Sequence, residues 1–97
     1  MAQIILSSRL QDDFDRIIDF LLTHAPEIAE DRIDAIIAAL DVIKTSPLIG
    51  WPAENSKREL VIAMGASGYV ALYRFVPELD TAFISAVRSQ RGLGQGK

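Results

Sequence analysis

The sequence predicts an α+β domain of order β-α-α-β-β-β, in which a helical hairpin packs on an antiparallel sheet. Between Leu10 and Ile43 apolar residues recur at helical spacing in two consecutive segments parted only around Pro26, whereas from Arg58 onward the period drops to two. Length sets the scale. The 97 residues, 49% apolar and 24% charged, are enough for one core and too few for two. The domain is expected over residues 1–91, with 92–97 as a flexible tail.

The first element is the short β-branched run from Gln3 to Ser7, expected as a strand. Ser8 and Gln11 fit an S-x-x-Q capping box, so a helix is expected to open there. Leu10, Phe14, Ile17, Ile18, Leu21 and Leu22 make its apolar stripe, and Pro26 bounds it because the residue before proline is disfavoured in α conformation. Glu27, Glu30 and Asp31 suit the positive end of the second helix, whose buried stripe is Ala29, Ile33, Ile36, Ile37, Leu40 and Ile43. Pro47 closes it. Two amphipathic helices this close in sequence pack as an antiparallel hairpin.

Pro47-Leu48-Ile49-Gly50-Trp51-Pro52 is expected as a loop by its prolines and glycine, yet three of its residues are large and apolar, and it is expected to fold back on the core. Strands follow over Arg58 to Ala63, Tyr69 to Val76 and Thr81 to Arg88, with turns at Gly65-Ala66-Ser67-Gly68 and Pro77-Glu78-Leu79-Asp80. Tyr69, Ala71, Tyr73 and Phe75 share one face and Val70, Leu72 and Val76 the other, which places this strand centrally. The residues expected inside are Leu10, Phe14, Ile17, Leu21, Ile33, Ile36, Leu40, Leu60, Leu72 and Ile84.

Composition removes several chemistries. Without cysteine there is no disulfide, thiolate metal site or Cys nucleophile. His24 is the one histidine, so no zinc site of His and Cys ligands can form, and its place at a helix end fits a C-terminal cap. Neither a metal nor a cofactor is expected. The acid pairs Asp12-Asp13 and Glu30-Asp31 diverge around their helices and are expected on charged outer faces. Residues 1–6 lack a basic segment and no stretch approaches about 20 apolar residues, so a cytoplasmic protein with no membrane partner is expected.

The net charge of −3 disfavours generic nucleic-acid binding, yet it divides unevenly: residues 1–50 carry −5 and residues 51–97 carry +2. The basic half contains Arg58, Arg74, Arg88 and Arg91, each near a strand end where a meander brings neighbours together. Such a group suits phosphate or carboxylate. Solvated arginines, or one paired with Glu59, are the alternative. The tyrosines are expected in the core with their hydroxyls reaching the surface.

Five blocks in order resemble one family: Asp13-Phe14-Asp15-Arg16-Ile17, Pro47 to Pro52, Arg58-Glu59-Leu60-Val61, Gly68 to Arg74, and Val87-Arg88-Ser89-Gln90-Arg91. Together they look like the RelE/ParE toxin superfamily, the poison halves of type II toxin-antitoxin pairs. The resemblance implies the fold and a hetero-oligomer with a cognate antitoxin, for which Leu48, Ile49 and Trp51 are the candidate contacts. RNase members of the superfamily carry an arginine directly after the tyrosine of the glycine-tyrosine block and a further tyrosine or histidine near the C-terminus. Here Val70 follows Tyr69, and the chain runs out from Gly92 without either. The third and fifth blocks resemble the ParE branch, associated with inhibition of DNA gyrase. That branch implies no catalytic residue, with Arg58, Arg74, Arg88 and Arg91 as target-binding charges. Ribosome-dependent mRNA cleavage, and a toxin-like domain without toxicity, are the two other functions the resemblance allows.

Overall fold

The computed structural model describes residues 1–62 and 68–89. In chain order it contains strand β1 (Gln3–Leu6), helices α1 (Ser8–His24) and α2 (Pro26–Thr45), and strands β2 (Trp51–Pro52), β3 (Arg58–Ile62), β4 (Tyr69–Val76) and β5 (Thr81–Ser89). Short 3-10 turns at Glu54–Ser56 and Pro77–Leu79 precede β3 and β5. The sheet order is β1-β5-β4-β3-β2, and both helices lie on one face of it.

The expected α+β class, the helical hairpin and the central place of β4 are all present. Strands β2 to β5 are antiparallel, but β1 pairs in parallel with β5, Gln3 opposite Thr81, so the sheet is mixed. Local pattern carries no information about which edge a lone first strand joins or in which sense. The crossover through the helices decides that, and Gln3 N–H donating to Asp80 O at 2.9 Å starts the pairing.

The first helix begins one residue earlier than its sequence signature. Ser7, not Ser8, is the N-cap, its hydroxyl accepting from Leu10 N–H at 3.0 Å and donating to Ser85 O at 3.1 Å. The cap therefore also ties the helix start to β5. Pro26 occupies the first turn of α2, where a missing N–H costs nothing. In the turn before β5, Asp80 takes a left-handed conformation (φ 48°) that aspartate tolerates better than most residues.

Leu10, Leu21, Ile36, Leu40 and Ile84 are buried as expected, in a core completed by Ile43, Ile62, Tyr69, Ala71, Tyr73, Ala82 and Val87. Phe14, Ile17 and Leu60 are half-buried at its margin, Ile33 is half-buried, and Leu72 is half-buried because it points away from the helices. Leu22 and Ile37 are exposed, against expectation. Each lies at the rim of its stripe, about 100° or more from the centre of a helix that turns 100° per residue, and a two-helix layer covers only one side.

Gly65, Ala66 and Ser67 of the expected glycine turn lie outside the described residues, as do Ala63 at the expected end of β3, Arg91 and the tail. Truncating Ile36, which is fully buried, to alanine should cost about 2–5 kcal/mol, while Leu22→Ala should stay within about 0.5 kcal/mol; urea unfolding of both variants tests the assignment.

Candidate functional site

Tyr73 is fully buried at the middle of β4, yet its hydroxyl has two partners from another part of the chain. It donates to Pro47 O at 2.7 Å and accepts from Gly50 N–H at 2.9 Å. Arg58, on the neighbouring strand, donates from one guanidinium nitrogen to Gly50 O at 2.7 Å and Leu48 O at 3.3 Å. Two side chains thus bind four backbone groups of the segment between α2 and β2. Gly50 fits because it has no side chain: a Cβ there would lie 2.8 Å from the Tyr73 hydroxyl and 3.0 Å from Glu59 O.

The segment folds back on the core as expected, and it does so through its backbone. Its backbone is drawn in, while Leu48, Ile49 and Trp51 stand 60%, 49% and 73% exposed. Trp51 and Pro52 are not loop but the edge strand β2, paired with Glu59 and Arg58. A proline is tolerated there because an edge strand has one unpaired side. The Tyr73 hydroxyl, expected at the surface, is internal.

The four arginines do not form one cluster. Arg58 pairs in register with Tyr73, on the helix-bearing face, whereas Arg74 and Arg88 pair with Phe83 and Val70 on the opposite, outer face. On that face Arg74 and the position of Arg88 are separated by four residues of β4, about 13 Å at strand rise. Arg91 lies outside the described residues. Lys57, which the sequence did not single out, joins Arg74, Val76, Phe83 and Ser85 around a shallow depression of the outer face. Glu59, opposite Leu72, lies on the same face.

Asp13 also departs from expectation. Its carboxylate is buried, accepts from Val87 N–H at 3.3 Å and pairs with Arg16. Strand β1 covers β5 only as far as Ile84, and Asp13 satisfies a backbone donor beyond it. The sequence held a readable signal, since Asp13 falls three residues after Leu10 and one before Phe14, inside the apolar stripe. His24 closes α1 as expected, its Nδ1 3.1 Å from Phe20 O and its ring stacked on Phe20. Burial raises the Tyr69 pKa from its ordinary 10.0, opposed by the nearby Arg32 cation. Among the described residues no three His, Cys, Asp or Glu side chains are grouped to hold a metal ion, and no helix is long and apolar enough to cross a membrane.

A family model for the ParE toxin of type II toxin-antitoxin systems, parDE, matches residues 4–93. The chain belongs to the ParE toxin family. As a ParE-family protein within the RelE/ParE superfamily, it is the toxin of a type II toxin-antitoxin system. It is similar to Toxin RelE3 of Caulobacter vibrioides, 31% identical over 88 residues that cover 91% of this chain and 94% of the relative. Toxin RelE1 of the same organism is 33% identical over 73 residues, covering 75% and 78%. Two solved structures share the ParE-family fold. The chromosomal ParDE toxin-antitoxin system from P. aeruginosa gives a TM-score of 0.74 at 18% identity, over 92% of this chain and 96% of that one. The intact E. coli RelBE toxin-antitoxin complex gives 0.61 at 14%, over 91% and 95%.

Two outcomes follow for this ParE-family fold. Tyr73→Phe leaves a buried carbonyl and amide without their partner and should cost about 1–3 kcal/mol, with Gly50→Ala destabilising through the same contact; chemical denaturation measures both. Tyr69 is held neutral by burial, so its contribution is complete below pH 10 and is lost as pH rises through its raised folded-state value. Between those values the unfolded chain releases its proton first, and thermal melts should show wild type losing stability faster above pH 10 than Tyr69→Phe.

Proposed function

We propose that this toxin acts by binding DNA gyrase without cleaving RNA, and that a cognate antitoxin neutralises it in a hetero-oligomer. The observation that carries the first half is where the proton-transfer groups lie. RNA cleavage through the 2′-hydroxyl requires a base, a stabiliser of phosphorane charge and an acid for the leaving oxygen. The outer face carries Lys57, Arg74 and Arg88, suited only to charge stabilisation or binding because guanidinium and ammonium groups stay protonated at neutral pH. Both tyrosines of the chain are buried on the other face, and its one histidine ends α1. Glu59 is the sole carboxylate among the paired residues of β3 and β4. On this reading the site of action is the cytoplasm.

The antitoxin half is supported by the solved structural neighbours, a ParDE toxin-antitoxin system and an intact RelBE toxin-antitoxin complex, and by the exposed apolar surface of Leu48, Ile49 and Trp51. A partner segment laid against the clamped loop and the β2 edge would cover it. A second reading, ribosome-dependent mRNA cleavage, is favoured by the RelE names of the two curated relatives and by Glu59 sharing a face with Arg74 and Arg88.

Purified toxin should lower gyrase supercoiling or trap its cleavage complex, and should leave ribosome-bound mRNA intact. Arg88→Ala, at an exposed strand end, should reduce toxicity with an unchanged melting curve. Codon-specific mRNA cuts within minutes of induction, abolished by Glu59→Gln, would transfer the assignment to the RNase reading.

A further inference from the structure

We propose that the depression on the outer face, bounded by Lys57, Arg74, Val76, Phe83 and Ser85, is a binding site for an acidic, apolar-flanked segment of the antitoxin. The inference rests on the antitoxin reading above and adds a second contact, on the opposite face of the sheet from the helices.

A fault in strand pairing forms this corner of the sheet. Leu72 pairs with Ala86 and Tyr73 with Ile84, which leaves Ser85 without a partner in β4. Such a bulge turns two successive residues toward one side and deepens the local twist. The depression measures about 390 Å³, at the small end of the range for ligand sites and room for one or two residues of a peptide.

Its lining is of three kinds. Lys57 and Arg74 supply positive charge, and neither forms an ion pair among the described residues. Lys57 is held at the entrance to β3 by its backbone, which donates to Glu54 O at 3.2 Å and accepts from Ala53 N–H at 2.7 Å. Val76 and Phe83 supply an apolar wall. The Ser85 hydroxyl donates to Leu72 O at 3.1 Å, so it offers the depression only an acceptor.

A ligand that meets all three carries a negative charge, an apolar body and an N–H donor. An Asp or Glu of a polypeptide, next to an apolar residue, has each of these, with the backbone amide as donor. A nucleic acid fits less well: DNA phosphodiesters carry no donor, and although RNA offers a 2′-hydroxyl, the repeated charges of either need a track of cations. Here Glu59 follows two residues after Lys57, and Glu78 and Asp80 lie in the turn that leaves Val76. Those acids interrupt any cationic track and leave a point contact for a carboxylate.

Calorimetric titration of the full-length toxin with its purified cognate antitoxin tests the site. Arg74→Glu and Lys57→Glu should each weaken binding about tenfold or more, since each replaces a charge-assisted contact by repulsion. An antitoxin with one acid of the docked segment changed to lysine should restore part of the affinity for the reversed toxin. Melting temperature should not change for Arg74→Glu, whose side chain is exposed. Antitoxin affinity within twofold of wild type in both variants would overturn the site while leaving the antitoxin reading intact. Loss of binding to a single-stranded RNA 12-mer with unchanged antitoxin affinity would overturn it in favour of a nucleic-acid surface. A wild-type toxin that does not bind the antitoxin at all would remove the antitoxin reading itself.

Discussion

The surface this toxin presents depends on one phenol. Tyr73 sits where β4 is most enclosed, and its hydroxyl would be an unsatisfied buried group without Pro47 O and Gly50 N–H. Leaving such a group unpaired costs about 1–3 kcal/mol, so the core is complete only when the segment after α2 is in place. Arg58 fixes the same segment from β3. Because backbone groups are bound from within, the side chains of Leu48, Ile49 and Trp51 are left outside. The backbone that carries them is fixed on folding, so any partner that bound them would have less entropy to overcome.

A second constraint arises from unequal strands. Four residues in β1 face nine in β5, and the pairing stops at Ile84. The chain then turns into α1, and the side chains at its start take over the work of a strand. Ser7 donates to Ser85 O and Asp13 accepts from Val87 N–H, so the helix is docked by polar contacts at its first turns and by Leu10 between them. Buried polar groups of this kind specify position better than apolar packing, since their geometry admits one arrangement.

What could be read from the sequence follows from the range of the forces involved. Helical and strand periodicity are local, and they placed α1, α2, β3, β4 and β5 to within a residue or two of their bounds. The central position of β4 followed from its apolar residues on both faces. The parallel docking of β1 and the bond that Asp13 makes to Val87 depend on contacts between distant segments, Asp13 and Val87 lying 74 positions apart, although the place of Asp13 inside the apolar stripe already marked it as facing inward. Local pattern has no access to those. The same limit explains the arginines: a meander could have brought them to one edge, but the face and the spacing depend on register, and Arg58 falls on the side of Tyr73 while Arg74 and Arg88 fall on the other, four residues of β4 apart.

Charge completes the division of surfaces. The exposed acids of the helices, Asp12, Asp15, Asp19, Glu27, Glu30, Asp31, Asp34 and Asp41, account for most of the negative charge, while Lys57, Arg74 and Arg88 gather on the outer face of the sheet. At physiological salt, fields from exposed charges decay over about 8 Å, so a partner on either face meets mainly the charges of that face. The net value of −3 therefore says little about what either face attracts. A long polyanion spanning several nanometres would feel both signs and the interrupting Glu59 and Glu78, whereas a folded partner presenting a few charges can match one face alone. The charge layout thus favours recognition by shape and point contacts over the tracking of a long polyanion.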